Sequence, residues 1–203
     1  EAVFERKFQY SCHIKLLKNQ RADLFQYRRG YGKIINPNEV AILREDDEDM
    51  VVKTDYIIIA TGSRPRKLPN IIADEEIILT SDGIDQIENY PKSLVIVGAG
   101  VIGCEYATIF SNFGKTKVYL IDRADRILPF EDDDISKTVS ENLEKRGVTI
   151  HHKAQLDRME VVDGEVEYEI TCDGVKEIIR VEKALLSVGR VSNFDNIGLE
   201  EVG

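Results

Sequence analysis

Short apolar runs mark the strands that this chain is expected to form. Four of them, Tyr56–Ala60, Ser93–Val97, Lys117–Ile121 and Ala184–Val188, are rich in β-branched or other apolar residues. Such runs are typical of strands that are buried on both faces of a sheet. A shorter run at 148–151 predicts one more strand.

Apolar residues at helical spacing lie between these runs. Residues 101–113 and 132–146 each carry an apolar helical stripe, and Gly114 and Gly147 are placed to end the two helices. A strand, a helix and a second strand therefore follow one another across 93–121, which predicts a βαβ unit with a parallel sheet.

Two other segments combine strand-like stretches with turn signals. Residues 154–182 alternate in short stretches with turns at Asp163-Gly164 and Asp173-Gly174, which indicates a meander. Gly32–Leu43 is strand-like and contains a turn at Asn36-Pro37-Asn38.

Two further segments carry weaker helical patterns. Residues 1–29 predict one or two amphipathic helices, and Ser81–Glu88 predicts a short helix capped by Ser81 or Asp82. Taken together, the elements predict an α/β fold with a Rossmann-like domain and an antiparallel meander.

Composition and charge then narrow the function classes. The chain has 203 residues, of which 42% are hydrophobic and 32% are charged, as in an ordinary globular protein of one or two domains. The formal net charge of −10 argues against broad nucleic-acid binding. The apolar runs are far shorter than the roughly 20 residues of a membrane helix. We expect neither a nucleic acid nor a membrane among its partners.

The number and spacing of the cysteines argue against a disulfide-stabilised or zinc-binding architecture. Cys12, Cys104 and Cys172 are too few and too widely spaced for a disulfide framework or a zinc site, so no metal is expected. An odd number of cysteines without a signal-peptide pattern favours a reducing compartment. The chain does not begin with Met and starts inside a charged helical pattern, so we interpret it as part of a longer protein.

A glycine-rich turn follows the strand at Ser93–Val97. Gly98, Gly100 and Gly103 form a GxGxxG pattern that ends a predicted strand and opens a predicted helix. In this context the first glycine permits a tight turn, the second lets a pyrophosphate approach the backbone, and the third lets helix and strand pack closely. The helix N-terminus then faces the phosphates, which predicts a dinucleotide site.

An acidic residue at the end of the next strand completes the pattern. Asp122 lies 19 positions after Gly103. A carboxylate there accepts hydrogen bonds from a ribose diol and repels a 2′-phosphate, which favours NAD over NADP. Arg123 and Arg126 either soften this preference or act as counter-charges for Asp122 and Asp125. Glu105 is either a favourable charge near the helix N-terminus or a contact on the nicotinamide side.

Five motifs in one order carry a family resemblance. Arg29–Ile34, Ile59–Ser63, Gly98–Glu105, Asp125–Pro129 and Ser187–Arg190 together resemble the pyridine nucleotide–disulfide oxidoreductases, which are flavoproteins with FAD and NAD(P) domains. Within that family the chain is most similar to the dihydrolipoamide dehydrogenases. The likeness covers nearly the whole chain.

The resemblance implies a domain arrangement and a set of contacts. Residues 1–80 would form part of an FAD-binding domain, 81–188 an NAD(P)-binding domain, and 189–203 the return into the FAD-binding domain. The implied NAD contacts are Gly98, Ala99, Gly100, Val101, Ile102, Gly103, Cys104, Glu105, Asp122, Leu156 and Gly189. The implied FAD contacts are Gly32, Thr61, Gly62 and Ser63.

The sequence also departs from the family pattern. No two of its cysteines have the spacing of the redox pair, and His13, His151 and His152 do not match the catalytic histidine of the family. We therefore expect no catalytic residue in this chain. The first FAD motif and the redox pair would lie upstream of it, and the dimerisation domain would lie downstream.

For the intact protein, the resemblance implies electron transfer between a dithiol, dihydrolipoamide, and NAD through FAD. It also implies a homodimer, a possible association with a 2-oxo acid dehydrogenase complex, and a location in the cytoplasm or the mitochondrial matrix. A soluble FAD-dependent NAD(P) transhydrogenase, whose substrates are nucleotides, is the alternative inside the family, because Gly103–Ala107 also resembles that group. Outside it, the alternatives are a stand-alone NAD-binding module and a simple NAD-dependent dehydrogenase.

Overall fold

The computed structural model describes residues 2–45 and 48–202, which divide into two compact units. The first unit comprises Glu1–Thr61 and Phe194–Gly203, and the second comprises Gly62–Asn193. These borders follow from packing, whereas the predicted borders at 80 and 188 follow from the family resemblance. The assignment of the units to FAD and NAD therefore stays a prediction.

The first unit contains a long helix and a small antiparallel sheet. The sheet has three antiparallel strands, and a two-residue turn joins the first two, in agreement with the strand-like segment and the turn predicted within Gly32–Leu43. The backbone N–H of Ile34 also donates to the carbonyl of Ile197 at 2.7 Å, which ties the C-terminal segment to the sheet. The elements are α1 (Ala2–Gln20), β1 (Tyr31–Asn36), β2 (Glu39–Leu43) and β3 (Met50–Lys53).

The second unit contains the predicted α/β fold. Its elements are β4 (Ser63–Pro65), β5 (Ile78–Thr80), β6 (Ser93–Val97), α2 (Val101–Asn112), β7 (Lys117–Ile121), α3 (Asp133–Lys145), β8 (Thr149–His151), β9 (Gln155–Val162), β10 (Glu165–Cys172), β11 (Val175–Val181), β12 (Lys183–Leu186) and β13 (Arg190–Ser192).

A parallel sheet forms the centre of this unit. Its five strands stand in the order β5-β12-β6-β7-β8, and every pair is parallel. The predicted βαβ unit is confirmed, because β6 and β7 are neighbours and α2 connects them. The α/β class is confirmed with it.

Alternate residues of β6 face two different layers. Leu94 and Ile96 pack in a core with α2 and α3, whereas Val95 and Val97 pack in a second core with the meander β9-β10-β11. Leu94, Val95 and Ile96 are fully buried. The sheet is therefore covered on both faces, as parallel sheets require.

The meander follows the turn chemistry of its sequence. Asp163-Gly164 joins β9 to β10, Asp173-Gly174 joins β10 to β11, and all four residues have positive φ. Two-residue turns of this conformation match the twist of antiparallel strands. The predicted meander is confirmed.

Three predictions of local structure fail. Tyr56–Ala60 forms no strand, and the side chains of Tyr56 and Ile58 are 87% and 90% exposed. The run has no strand partner among the residues the structure describes, so a buried strand cannot form there. The helix predicted within residues 1–29 forms as α1, but over its described side chains at 8–20 it is not amphipathic, because Phe8 and Leu16 are exposed and Cys12 and Ile14 are only half-buried.

The third concerns Ser81–Glu88, which is a single 3-10 turn at Ile84–Gln86 with Gly83 at its N-cap. Ser81 and Asp82 do not cap it. Their side-chain oxygens accept hydrogen bonds from the Arg190 guanidinium at 2.8 Å and 3.2 Å, so they hold β13 instead.

Candidate nucleotide-binding cleft

The glycine-rich turn connects the carboxyl end of β6 to α2. Gly98 has a φ of +98°, and a Cβ there would lie 2.6 Å from the Ser187 carbonyl oxygen. A Cβ at Gly103 would lie 1.9 Å from the Gly98 carbonyl oxygen. Gly100, by contrast, has no atom within 4 Å of an added Cβ. Gly98 and Gly103 are therefore required for close packing, whereas Gly100 leaves an open space over the backbone.

Asp122 follows β7, and the backbone orients its carboxylate. One oxygen accepts from the N–H of Ala99 at 2.5 Å, and the other accepts from the N–H of Ala124 at 2.8 Å. The N–H of Asp122 itself donates to the His151 carbonyl at 3.1 Å. The carboxylate is thus fixed beside the glycine-rich turn, with lone pairs left for a ligand.

A cleft of about 900 Å³ opens at this end of the sheet. Its position, outside the carboxyl ends of parallel strands, is where open α/β sheets bind ligands. Seven of the residues predicted to contact NAD line it, namely Gly98, Gly100, Val101, Ile102, Asp122, Leu156 and Gly189.

The other predicted NAD residues lie elsewhere. Ala99, Gly103 and Cys104 are buried beneath the turn. Glu105 is exposed on α2 and is not one of the described residues that line the cleft. Its contact with the nicotinamide side stays a prediction. Glu105 lies beyond the first turn of α2, so the helix N-terminus stabilises its negative charge only weakly.

Cys104 has the environment of a structural thiol. Its sulfur donates to the Ala99 carbonyl at 3.4 Å, and the side chain is 5% exposed. Burial, aided by the negative charge of Asp122, raises the pKa of this thiol to about 11. Because the thiolate is the reactive form, Cys104 is unsuited to nucleophilic chemistry near neutral pH.

The two arginines near Asp122 separate into different roles. Arg126 contacts the Asp133 carboxylate and donates to the Pro129 carbonyl at 3.0 Å, so it holds the following loop rather than pairing with Asp122 or Asp125. Arg123 is exposed and lines the cleft. Of Arg123 and Arg126, it is therefore Arg123 that lies where a guanidinium can affect the choice between NAD and NADP.

Several cleft residues were not singled out from the sequence. The Ser187 hydroxyl lies 2.8 Å from the carbonyl oxygens of both Val97 and Gly98 and braces the turn from β12. The motif Ser187–Arg190 was the signal that could have identified it. Arg66, Phe130 and Arg158 also line the cleft, and no pattern in the sequence marked them.

The predicted FAD contacts are divided between the two units. Gly32 and Thr61 belong to the first unit, and Gly62 and Ser63 belong to the second. The Arg190 guanidinium donates to the Ser63 hydroxyl at 2.9 Å and to its carbonyl at 2.7 Å. A Cβ at Gly62 would meet nothing closer than the Asn193 amide nitrogen at 3.9 Å.

The family follows from a comparison with known proteins. A family model described as "Pyridine nucleotide-disulphide oxidoreductase" matches residues 5–203. The chain belongs to the pyridine nucleotide-disulphide oxidoreductase family.

Family relatives share much of the sequence. A dihydrolipoyl dehydrogenase of Bacillus subtilis is 39% identical over an alignment of 196 residues; the match covers 91% of this chain and 40% of that relative. A leghemoglobin reductase of Glycine max is 34% identical, covering 87% of this chain and 34% of the relative. The chain thus spans about two-fifths of the length of these relatives.

Two solved structures share the fold of this chain. LpdA of Mycobacterium tuberculosis superposes with a TM-score of 0.75 at 29% identity, over 86% of this chain and 38% of that one. The HOCl-induced flavoprotein disulfide reductase RclA of Escherichia coli covers 98% of this chain and 45% of its own, with a TM-score of 0.77 at 24% identity. At that identity the RclA match supports the fold alone.

Neither a cluster of metal ligands nor a membrane-spanning helix occurs in the part of the chain that the structure describes. Among the described residues, no three His, Cys, Asp or Glu side chains come together as ligands for a metal ion. Within the same part of the chain, no helix is both long and apolar enough to span a membrane. His151 and His152 lie at and just after the end of β8.

Proposed function

We propose that this chain is the NAD-binding portion of an FAD-dependent oxidoreductase that moves electrons between dihydrolipoamide and NAD. The observation that carries the proposal is the cleft, where the open space over Gly100 lies beside the oriented carboxylate of Asp122. The relatives named dihydrolipoyl dehydrogenase support the choice of dithiol.

The turn and α2 would hold the pyrophosphate. Gly100 is the N-cap of α2, so the first N–H groups of the helix and its dipole are available to an anion there. The missing Cβ of Gly100 lets phosphate oxygens come close to the backbone.

Asp122 would select the ribose. Each of its oxygens already accepts one backbone N–H, which fixes the orientation of the carboxylate. The remaining lone pairs accept hydrogen bonds from ribose hydroxyls, and the negative charge repels a 2′-phosphate. We therefore propose NAD rather than NADP as the nucleotide.

FAD is proposed for the intact protein, with Gly32 and Thr61–Ser63 as its contacts in this chain. The open space beside Gly62 leaves room for a ligand to approach the backbone. When bound, the flavin supplies electron transfer between the dithiol and the nicotinamide. We also propose a homodimeric intact protein of the cytoplasm or mitochondrial matrix, in association with a 2-oxo acid dehydrogenase complex.

One observation favours a second candidate function. Arg66 and Arg123 both line the cleft, and guanidinium groups are suited to a 2′-phosphate. They support the soluble FAD-dependent NAD(P) transhydrogenase, for which both nucleotides are substrates.

Calorimetric titration with NAD and NADP, after a visible spectrum of the protein, tests these proposals. We expect NAD to bind more tightly than NADP. Equal or tighter binding of NADP would favour the transhydrogenase, and no affinity for either nucleotide would overturn the proposed site. Binding of NAD by an intact protein that never carries flavin would instead favour the stand-alone module.

A further inference from the structure

Phe130 is an exposed aromatic residue at the edge of the cleft. Its side chain is 99% exposed, yet it lines the cleft. Among the described residues that line this cleft, it is the one aromatic side chain. Single exposed apolar residues are common on protein surfaces, so exposure alone carries no argument. What distinguishes this ring is where it lies and how its loop is held.

The loop that presents Phe130 is anchored at several points. Arg126 donates to the Pro129 carbonyl at 3.0 Å, and the N–H of Glu131 donates to the Leu128 carbonyl at 3.0 Å. Ile127 is fully buried, and its carbonyl accepts from the buried Ser136 hydroxyl of α3. The exposed ring therefore stands on a loop whose neighbouring residues are held by the core. A ring on such a support loses little conformational freedom when a ligand packs on it.

The same loop is tied directly to the glycine-rich turn. The N–H of Leu128 donates to the Ala99 carbonyl at 2.8 Å, and the N–H of Ala99 donates to the Asp122 carboxylate at 2.5 Å. Ala99 thus links the turn, the ribose-selecting acid and the loop of Phe130. The ring lies on the segment that directly follows Asp122, at the ribose end of the proposed dinucleotide.

We propose that Phe130 stacks on the adenine base of the dinucleotide bound in this cleft. The proposal rests on the proposed NAD-binding function. Aromatic stacking suits this position because every purine has a π-face, and packing on the base removes the exposed ring from water. The ring then contributes to affinity for the adenylate half and leaves the nicotinamide half unaffected.

Titration of Phe130→Ala tests the proposal. We expect affinity for NAD and for ADP-ribose to fall about tenfold, in line with the loss of one base–aromatic stack, while affinity for nicotinamide mononucleotide stays unchanged. Phe113→Ala is the matched control, because Phe113 is also an exposed phenylalanine, at 55% exposure, but lies outside the cleft lining. The centroid of its ring lies 4.8 Å from the centroid of the Tyr90 ring. This control should bind every ligand as the unmodified protein does.

Phe130→Trp adds a spectroscopic readout. The chain contains no tryptophan, so this variant has a single indole fluorophore. We expect it to bind NAD with about the original affinity and its fluorescence to be quenched by ADP-ribose, because stacking brings the base onto the indole.

The outcomes separate this inference from the function on which it rests. If the unmodified protein binds NAD and Phe130→Ala binds it equally well, the stacking role is overturned and the NAD site stands. An equal loss for nicotinamide mononucleotide would also overturn it, because the variant would have damaged the cleft in general. No NAD binding by the unmodified protein would overturn the NAD site itself.

Discussion

Two apolar runs of this chain are alike in sequence and opposite in structure. Leu94–Val97 is a central strand, and its first three residues are fully buried. Tyr56–Ala60 is an equally apolar run with no regular structure, and the side chain of Ile58 is 90% exposed. Local composition is therefore not what distinguishes them.

The difference lies in the strands available on either side. Leu94–Val97 belongs to β6, which pairs with β12 on one edge and β7 on the other, and packed layers cover both of its faces. Tyr56–Ala60 finds no such neighbours among the described residues. An apolar run becomes a strand only where other strands satisfy its backbone and other layers bury its side chains.

The largest effect is expected from Gly103→Val, which would break the β6–α2 junction. Its Cβ would meet the Gly98 carbonyl oxygen at 1.9 Å, and backbone cannot move aside cheaply. We expect the free energy of unfolding to fall by at least about 3 kcal/mol, measured by urea unfolding with circular dichroism. A variant as stable as the unmodified protein would mean that α2 does not pack on β6 this closely.

Alanine substitution in each apolar run tests the comparison itself. Ile96→Ala removes a fully buried side chain and should lower the free energy of unfolding by about 3 kcal/mol. Ile58→Ala should change it by no more than about 0.5 kcal/mol, because that side chain is already in water. Equal losses in urea unfolding would show that Tyr56–Ala60 is buried after all.

Gly100→Val should separate binding from folding. Nothing lies within 4 Å of the added Cβ, so the unfolding transition should stay close to that of the unmodified protein. The branched side chain would occupy the proposed pyrophosphate position, and we expect NAD affinity to fall at least about a hundredfold in calorimetry. Unchanged affinity would show that the ligand does not approach the backbone there.

Asp122→Ala should weaken NAD binding about tenfold and NADP binding less, because it removes the ribose acceptor together with the charge that repels a 2′-phosphate. Calorimetric titration of both nucleotides measures the two losses. Asp125→Ala, an exposed acid outside the cleft lining, is the matched control and should alter neither affinity. Equal losses for both nucleotides in Asp122→Ala would contradict the ribose role.

The last and smallest expected difference is between the reactivities of two thiols, Cys104 and Cys12. Burial raises the pKa of Cys104 to about 11, so at pH 8 roughly a thousandth of this thiol is in the reactive thiolate form. Cys12 in the first unit is half-buried. We expect a thiol reagent to label Cys12 before Cys104, as followed by mass spectrometry of peptides, and urea to remove the difference. Faster labelling of Cys104 in the native protein would contradict its buried position.

The sequence predicted the local structure correctly where the residues that determine it are close together in the chain. Asp163-Gly164 and Asp173-Gly174 predicted the meander turns, because their residues tolerate positive φ. The spacing of Gly98, Gly100 and Gly103 after an apolar run predicted the strand, turn and helix of the candidate site.

The contacts that join distant segments of the chain gave no such local signal. Ser187 braces a turn that lies about 90 positions away along the chain. The hydrogen bond of Asp122 to Ala99 spans 23 positions. In the sequence, Phe130 is an ordinary loop residue, and only the structure shows that its loop lies at the cleft. Their roles depend on how the sheet brings the ends of its strands together.

Sequence alone determined the alternation of strand and helix in the α/β unit, the hairpins of the meander and the position of the glycine-rich turn. Each of these follows from side-chain periodicity or from the φ angles that glycine and aspartate permit, and both are properties of neighbouring residues. Tertiary structure decided which apolar run is buried, which of the predicted residues line the cleft, and where the aromatic ring stands. Burial and proximity depend on pairing between distant segments, and no local pattern contains that information.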